Sequence, residues 1–419
     1  MKTIASCDDD WEVGSVPVDE ALTRMLAETA SVSGAEIVQV SAAAGRVLAE
    51  SVQASRDVPG HTNSAVDGYA LRGADLPRTG FAEFAVLGTA LAGHPYAGAL
   101  VRSREAVRIM TGAVIPEGTD TVIMQEHAEA RGDRVRIDRP HRVGQNVRQA
   151  GEDMRRGEVV LEAGRWLTPA DLGMVASLGV AEVKVRRIVR VAVLSTGSEV
   201  CPLGQKLPPG SIYDSNRYTL MAALQRIGAE VHDLGIVPDQ PEELKQRLAS
   251  ASGYADVIIS SGGVSVGEAD HVRPALSELG QIRFWKVAMK PGRPLSFGRI
   301  GSATFLGLPG NPVAVLVTFY WLVKPVLEKR MGILDRPLIP LVPARTETRL
   351  RKKPGRMEFQ RGLLWSASSG EYRVAVSGKQ GSGILRSMSL ANALIVLPHE
   401  RGSVEPDEWV TVLPFAAVV

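Results

Sequence analysis

Between about Arg187 and Gly332, β-branched strand runs alternate with helical patterns, and this alternation narrows the fold more than any other feature of the chain. Strands are expected at 188–194, 230–237, 256–260, 282–287 and 304–307, with helices at 216–227, 241–251, 269–279 and 312–330 between and after them. Such an order builds an open, mostly parallel α/β sheet. Ligands in that architecture sit outside the carboxyl ends of the strands. The run Asp256-Val-Ile-Ile-Ser-Ser-Gly-Gly-Val-Ser-Val-Gly-Glu-Ala-Asp-His271 is the most telling part. Val257, Ile258 and Ile259 form a strand covered on both faces. Gly262 and Gly263 then turn the backbone, and Glu268 or Asp270 opens a helix whose positive end points back at the loop. A phosphate fits there, and a carboxylate beside it suits a divalent ion. The same residues also serve as an ordinary turn and helix cap, and this segment alone leaves both readings open.

With 419 residues the chain is too long for one core, and two to four domains are expected. A net charge of +2, from 48 basic and 46 acidic side chains, gives no global pull toward nucleic acid or anionic membrane. Cys7 and Cys201 alone support neither a disulfide framework nor a cysteine zinc site, so the cytoplasm is the natural compartment. No apolar run reaches the roughly 20 residues of a membrane span, and Val313 to Val323 reads as a core helix.

Outside the α/β segment the pattern changes. Val18 to Ala30 is an amphipathic helix pattern with Leu22, Met25 and Leu26 on one stripe. Residues 81–148 are β-rich and look inserted, because 169–178 returns to helix and 180–185 to strand. After Pro337, Pro340 and Pro343 come short alternating runs with turns at Ser369-Gly370 and Pro406-Asp407, a small all-β domain. The expected division is 15–55 with 151–186 as a discontinuous linker domain, 56–150 as the insertion, 187–336 as the α/β domain and 337–419 as the C-terminal β domain.

Three further loops fall just after expected strands. Ser195, Thr196, Gly197 and Ser198 lead to the carboxylate Glu199. Asp214, Ser215 and Asn216 place polar capping groups at a helix start, and Pro309-Gly310-Asn311-Pro312 turns into a helix with Asn311 as N-cap. Each has a plain explanation in turn and cap chemistry; together they set backbone donors, hydroxyls and carboxylates on one rim. Basic residues gather in short stiff motifs, with Lys286, Lys290 and Arg293 around Pro291-Gly292, Arg361 in Phe-Gln-Arg-Gly, and Lys379 and Arg386 in a Gly/Ser-rich run. Such a set suits a small oxyanion, although any single lysine reads as solvated surface. Asp67 beside Gly68 and Asp153 after Gly151 read as turn formers. No histidine pair has metal-ligand spacing, and no Ser-His-Asp order stands out.

The motifs Asn63-Ser-Ala-Val-Asp-Gly-Tyr-Ala70, Ser195-Thr-Gly-Ser-Glu199, Ser261-Gly-Gly-Val-Ser-Val-Gly-Glu-Ala-Asp270, Met289-Lys-Pro-Gly-Arg-Pro294 and Leu308-Pro-Gly-Asn-Pro312 follow one another in this order along the chain. They resemble the molybdopterin molybdenumtransferase (MoeA) family, related to the E domain of gephyrin. The resemblance implies four domains: a molybdopterin-binding α/β domain, an inserted β-rich domain, a linker domain and a C-terminal domain like a small β-barrel. It implies a homodimer with sites shared between subunits. Implied partners are the molybdopterin adenylyltransferase and the proteins that mature molybdoenzymes, with no nucleic acid and no membrane.

By the same resemblance, Glu199, Asp239 and Asp270 match acidic positions of the substrate site, and Glu199 and Asp270 would hold Mg2+. Thr196, Gly197, Ser198, Asp214, Ser215, Asn216, Ser261, Gly262, Gly263, Ser265, Gly267, Pro309, Gly310, Asn311 and Pro312 match the loops that bind the pterin substrate. Lys290, Arg293, Ser296, Arg361 and Ser387 match its anion-holding groups. Asp67, Thr111 and Asp153 match positions that reach the cleft from the partner subunit. Arg293 stands where many relatives have lysine, which keeps the charge but changes the donor geometry. The implied activity is insertion of molybdate into the dithiolene of adenylylated molybdopterin with release of AMP. Two other readings compete: an adenylyltransferase acting on the same pterin, which requires ATP turnover, and a carrier or scaffold that binds pterin without consuming adenylate.

Overall fold

The computed structural model describes residues 15–418 apart from 139, 239, 263–275, 277 and 335–339. Its central feature is a six-stranded sheet in the order Glu230–Val237, Arg190–Thr196, Val257–Ser261, Ala303–Leu308, Pro294–Ile300, Gly280–Lys286. The first four strands run parallel to one another. The strand Pro294–Ile300 has no counterpart in the sequence expectation, because Pro294 and Gly298 mask the run. It joins the sheet antiparallel on both sides. Pro294 sits at the strand's first position, where a missing N–H costs the ladder least.

Val191, Val193, Val257, Ile259, Leu306 and Leu308 are buried in one cluster, whereas Ala192, Leu194, Ile258 and Phe305 are buried in another. The alternation within each strand puts one set on either face, so both faces are covered. Helices Asn216–Arg226 and Pro312–Thr318 cover the first face, and Pro241–Ser252 covers the second. Of the helix expected at 269–279, only Leu276, Glu278 and Leu279 are among the described residues, and Leu276 is buried on the second face.

The apolar run 313–323 is buried almost throughout, as its composition requires. It is not one regular helix. Pro312–Thr318 passes through a π-turn at Phe319–Val323 into Lys324–Met331. Pro325 explains the break: its ring lacks an N–H and crowds the carbonyl of Trp321, and the wider turn makes room.

The helix Val18–Glu28 buries Val18, Ala21 and Met25 in the same core as the α/β sheet. Its lead-in is stitched to that segment, with the Val16 N–H donating to the Lys286 carbonyl and the Ala288 N–H donating to the Val16 carbonyl. Strand Ala35–Gln39 pairs with Glu182–Arg186, so the chain leaves this unit and returns to it. Between them lies a separate six-stranded sheet running from Gly68 to Ile137, with its own cores around Phe84 and Ile109. Beyond 340, Met357–Ser366, Tyr372–Val376, Val342–Thr346, Trp409–Pro414 and Ala393–Leu397 pair in that order. Ala393–Leu397 pairs back onto Met357–Ser366 and closes a five-stranded barrel. On these cores we propose the division 15–55 with 151–186, 56–150, 187–336 and 337–419.

One ion pair ties the amino ends of the central strands. Asp256 accepts from Arg187 at 2.7 and 2.6 Å and from the Arg190 N–H at 2.9 Å. Burial raises the pKa of its carboxyl, but the hydrogen bonds from Arg187 and Arg190 outweigh this and hold it below the ordinary carboxylate value. A depressed carboxylate contributes stability above its unfolded pKa, and that stability is lost as pH falls through the lower folded value. Asp256→Asn is therefore expected to cost about 3 kcal/mol at pH 7, because Arg187 is left without its anion. Urea melts should show the variant approaching the parent as pH drops below 4; a constant gap across pH would refute the pair's role.

Candidate functional site

The strand order reverses direction between Arg190–Thr196 and Val257–Ser261, since the chain departs from Arg190–Thr196 to neighbours on opposite sides. A crevice opens at such a point. Its two edge loops touch: Gly262 has φ +91°, and any β-carbon there would collide with the Thr196 carbonyl oxygen. The Gly262 N–H donates to the Leu308 carbonyl at 3.2 Å, drawing in the third loop. Asn216 completes the join, its side-chain amide donating to Ser261 Oγ at 2.9 Å and to the Gly310 carbonyl at 2.7 Å. Four expected loops thus meet at one rim.

Some residues of that rim are already engaged by the fold. Asp214 is buried; it accepts from Ser195 Oγ at 2.9 Å, from the Arg217 N–H at 3.2 Å and from Arg217 Nε at 2.8 Å. Asp214 rather than Ser215 therefore satisfies the open N–H at the start of helix Asn216–Arg226, and Ser215 makes no capping bond through its side chain. Asn311 holds the N-cap position before Pro312 but likewise makes no side-chain capping bond. The Val313 N–H donates instead to the Ser382 carbonyl of the C-terminal unit at 3.1 Å. Ser296 is fully buried and its hydroxyl has no partner among the described residues. Ser198 and Glu199 are exposed at the rim and free to meet a ligand. Asp239, Gly263, Ser265, Gly267 and Asp270 lie outside the described residues.

The barrel supplies the second half. Arg361 is only 1% exposed, yet its bonds go to neutral acceptors. Nε donates to Ser387 Oγ at 3.1 Å, and Nη2 to the Lys379 and Gly381 carbonyls at 3.2 and 3.0 Å. Burial pushes its pKa down to about 10, against the opposing field of Glu358. A buried guanidinium whose hydrogen bonds run to carbonyls and a hydroxyl is an electrostatic invitation to an anion. Ser387 donates to the Ile384 carbonyl at 2.7 Å, which fixes its hydroxyl beside Arg361.

The two halves meet at helix Pro312–Thr318. Gly381 and Ser382 connect Arg361 to the start of that helix, through the bonds above. Farther along it, Gly292 sits at φ +113°, and an added β-carbon would lie 2.6 Å from Thr318 Oγ1. The Lys290–Arg293 loop therefore packs directly on the helix. Met289–Lys290 also joins the barrel as a parallel strand beside Met357–Ser366, with Lys290 opposite Glu358. Sequence motifs name Lys290, Arg293, Arg361 and Ser387, but nothing in their spacing reveals that one helix gathers them.

In the front sheet, Asp67 Oδ1 accepts from the Thr111 N–H at 2.7 Å and from Thr111 Oγ1 at 2.8 Å. These bonds, the one from the Thr111 N–H first, hold the half-buried Asp67 carboxyl below the usual range. Asp153 is exposed, and its N–H donates to the Val58 carbonyl at 3.0 Å. Asp67 and Thr111 are thus paired with each other on the front sheet, apart from the bonds that join the rim. Among the described residues no three His, Cys, Asp or Glu side chains gather into a metal site.

A switch-point crevice joined to a buried guanidinium defines a multidomain protein that handles a small anionic ligand. Comparison with known proteins narrows this. Residues 16–179 match the MoeA N-terminal region (domain I and II), 192–329 a probable molybdopterin binding domain, and 343–415 the MoeA C-terminal region (domain IV). A molybdopterin molybdenumtransferase of Haemophilus influenzae is 43% identical over 95% of this chain and 98% of its own. Gephyrin of Dictyostelium discoideum is 32% identical over 97% of this chain, which spans 63% of that longer protein. A crystal structure of the molybdopterin biosynthesis MoeA protein from Pyrococcus horikoshii superposes with a TM-score of 0.82 at 30% identity, covering 96% of this chain and all of that one. The chain belongs to the MoeA family of molybdopterin molybdenumtransferases, and it is an enzyme. None of its described helices is long and apolar enough to cross a membrane.

Proposed function

We propose that this enzyme acts in molybdenum cofactor biosynthesis by inserting molybdate into the dithiolene of adenylylated molybdopterin, with release of AMP. The observation that carries the reading is Arg361, a fully buried cation bonded to Ser387 and two carbonyls. It suits a tetrahedral dianion, because a guanidinium presents paired donors in a fixed plane. Lys290 and Arg293 add positive charge from a loop stiffened by Pro291 and Pro294. The switch-point rim supports the other substrate: backbone donors around Gly262 and Gly310, with Asn216 tying them, suit phosphate oxygens.

In this reading the two halves act by position. The rim fixes the pterin phosphates while the cationic loop holds molybdate against the dithiolene sulfurs, so that encounter becomes intramolecular. A molybdate oxygen attacks the adenylate phosphorus and the phosphoanhydride bond breaks; as the dithiolene sulfurs bond to molybdenum, that Mo–O bond breaks so that AMP leaves with the oxygen, and a second oxide leaves as water after taking up two protons. Magnesium, when bound, would neutralise phosphate charge; Glu199, exposed at the rim, and Asp270 are the carboxylates that would hold it. Asp67, Thr111 and Asp153 are assigned to the partner's cleft in a homodimer, and the exposure of Thr111 and Asp153 supports this. Contacts with the adenylyltransferase that supplies the substrate belong to the same reading.

The decisive assay incubates purified protein with adenylylated molybdopterin, magnesium and molybdate, following AMP and metal-loaded pterin. Both products are expected to rise together and only when molybdate is present. AMP formation that requires ATP would point to adenylyl transfer; pterin binding without AMP would point to a carrier.

A further inference from the structure

Thr318 departs from the other helical threonines. A threonine in a helix commonly turns its hydroxyl back to the carbonyl four residues earlier. Thr23 does so to Asp19 at 2.8 Å and Thr219 to Ser215 at 2.9 Å, and Thr29, just past the end of its helix, does the same to Met25 at 2.7 Å. Thr318, at the last position of helix Pro312–Thr318, is fully buried, and its hydroxyl has no hydrogen-bond partner among the described residues. Enclosing a hydroxyl without a partner costs stability, so one that persists calls for an explanation.

What stands against that hydroxyl is the tip of the cationic loop. A β-carbon added at Gly292 would lie 2.6 Å from Thr318 Oγ1 and 3.1 Å from Met289 Cε, so loop backbone faces the hydroxyl. Gly292 is itself buried, and its N–H makes no hydrogen bond among the described residues. A donor and an acceptor thus stand beside each other unbonded. The loop is tethered on either side of them. Met289–Lys290 pairs with Met357 and Glu358, the Val287 N–H donates to the Arg293 carbonyl at 2.7 Å, and Pro294 opens a strand paired to Lys286. Pro291 has no N–H, and neither it nor Gly292 enters a backbone hydrogen bond among the described residues, so the tip is the part of the loop held least. The helix side is fixed, because the Phe319 N–H is bonded to the Val315 and Leu316 carbonyls and the chain runs on into the π-turn.

We propose that Thr318 is a positioning residue for the oxyanion loop: when an oxyanion engages Lys290 and Arg293, the tip settles onto the helix and the Gly292 N–H donates to Thr318 Oγ1. The proposal rests on the functional reading above. The empty protein then carries a cost that the loaded protein sheds, and the difference appears as affinity, since a ligand favours one seating of a loop only by its differential free energy for the two. Thr318 meets no substrate atom. It acts through Gly292 on the two cationic residues that flank the tip. Gly292, at φ +113° and without a β-carbon, is what lets the backbone come so close to the hydroxyl.

The test uses the full chain and molybdate alone, in equilibrium dialysis and in amide hydrogen exchange. Thr318→Val keeps the shape of the side chain and removes its hydroxyl. It should weaken molybdate binding roughly fivefold, the worth of one hydrogen bond, while the empty variant melts no lower than the parent. Thr318→Ser should bind within about twofold of the parent. Adding molybdate should protect the Gly292 amide in the parent and leave it unprotected in Thr318→Val. In turnover, Thr318→Val should raise the molybdate KM by the same factor with kcat at saturation unchanged. A lower melting temperature for the empty Thr318→Val protein overturns the proposal, because the hydroxyl would then already serve the fold. Protection that persists in Thr318→Val overturns it too, by giving the Gly292 N–H to the anion itself. Equal molybdate binding by the parent and Thr318→Val sinks this inference and leaves the functional reading standing. The dialysis needs no pterin, so a parent that shows the expected binding pattern yet makes no AMP would sink the insertion reaction and leave the positioning role in place.

Discussion

Arg361→Met should lose molybdate insertion by roughly 10²- to 10³-fold in kcat/KM while the protein stays folded, because the change deletes a preorganised donor to an anion and keeps much of the side-chain volume. Two opposing terms govern stability. The depression of its pKa to about 10 corresponds to about 3 kcal/mol against the buried charge. The bonds to Ser387 and the carbonyls of Lys379 and Gly381 contribute a similar amount in the other direction. The variant is therefore expected within about 2 kcal/mol of the parent. A large loss of stability would mean that Arg361 is structural first.

The pH dependence separates the two roles. A base whose folded pKa lies below its unfolded value penalises the fold while charged, and that penalty is relieved as pH rises through the folded value. In the parent, stability relative to Arg361→Met should improve as pH passes about 10. Molybdate affinity should fall over the same interval, since the guanidinium is losing its proton. Arg361→Lys should recover only a minor part of the activity, because an ammonium lacks the planar fork. Denaturant melts and molybdate titration on the same samples give both curves.

Gly262→Ala should be the most damaging single methyl group in the rim. Gly262 stands at φ +91°, and its β-carbon would strike the Thr196 carbonyl oxygen, a backbone atom of the neighbouring parallel strand. The neighbour cannot rotate away, so the loop must shift or the strand ends must part. Positive φ and the clash together are expected to cost about 2–4 kcal/mol. The Gly262 to Leu308 bond would be lost as well, and pterin binding should weaken more than molybdate binding. Gly310→Ala is the control. Nothing lies within 4 Å of an added β-carbon there, and the variant should stay within about 0.5 kcal/mol of the parent. Equal effects at the two glycines would remove the steric argument.

The central strands and helices were legible because their chemistry is local. Val257, Ile258 and Ile259 cannot be placed anywhere but in a covered strand, and Pro312 starts a helix wherever it falls after Asn311. The strand Pro294–Ile300 escaped because Pro294 and Gly298 hide a run whose pairing is supplied by both neighbours. Of the polar residues expected to cap helix Asn216–Arg226, Asp214 makes the bond, and its carboxylate also accepts from Ser195, 19 residues earlier, which no local pattern announces. That Ser296 is fully buried is decided only by the sheet's register.

By itself, then, the order of residues determined the α/β class, the glycine loops at strand ends, the closing β domain and the family, since each is written in short-range pattern. It also marked Lys290, Arg293, Arg361 and Ser387 as a set of interest. Only the tertiary structure decided that helix Pro312–Thr318 draws the rim and the barrel together, and that Arg361 is buried among carbonyls and a hydroxyl. Burial and field depend on atoms contributed from distant parts of the chain. No local window of sequence contains them, and so the charge that makes the site attractive to an anion appears only once the barrel has closed against the sheet.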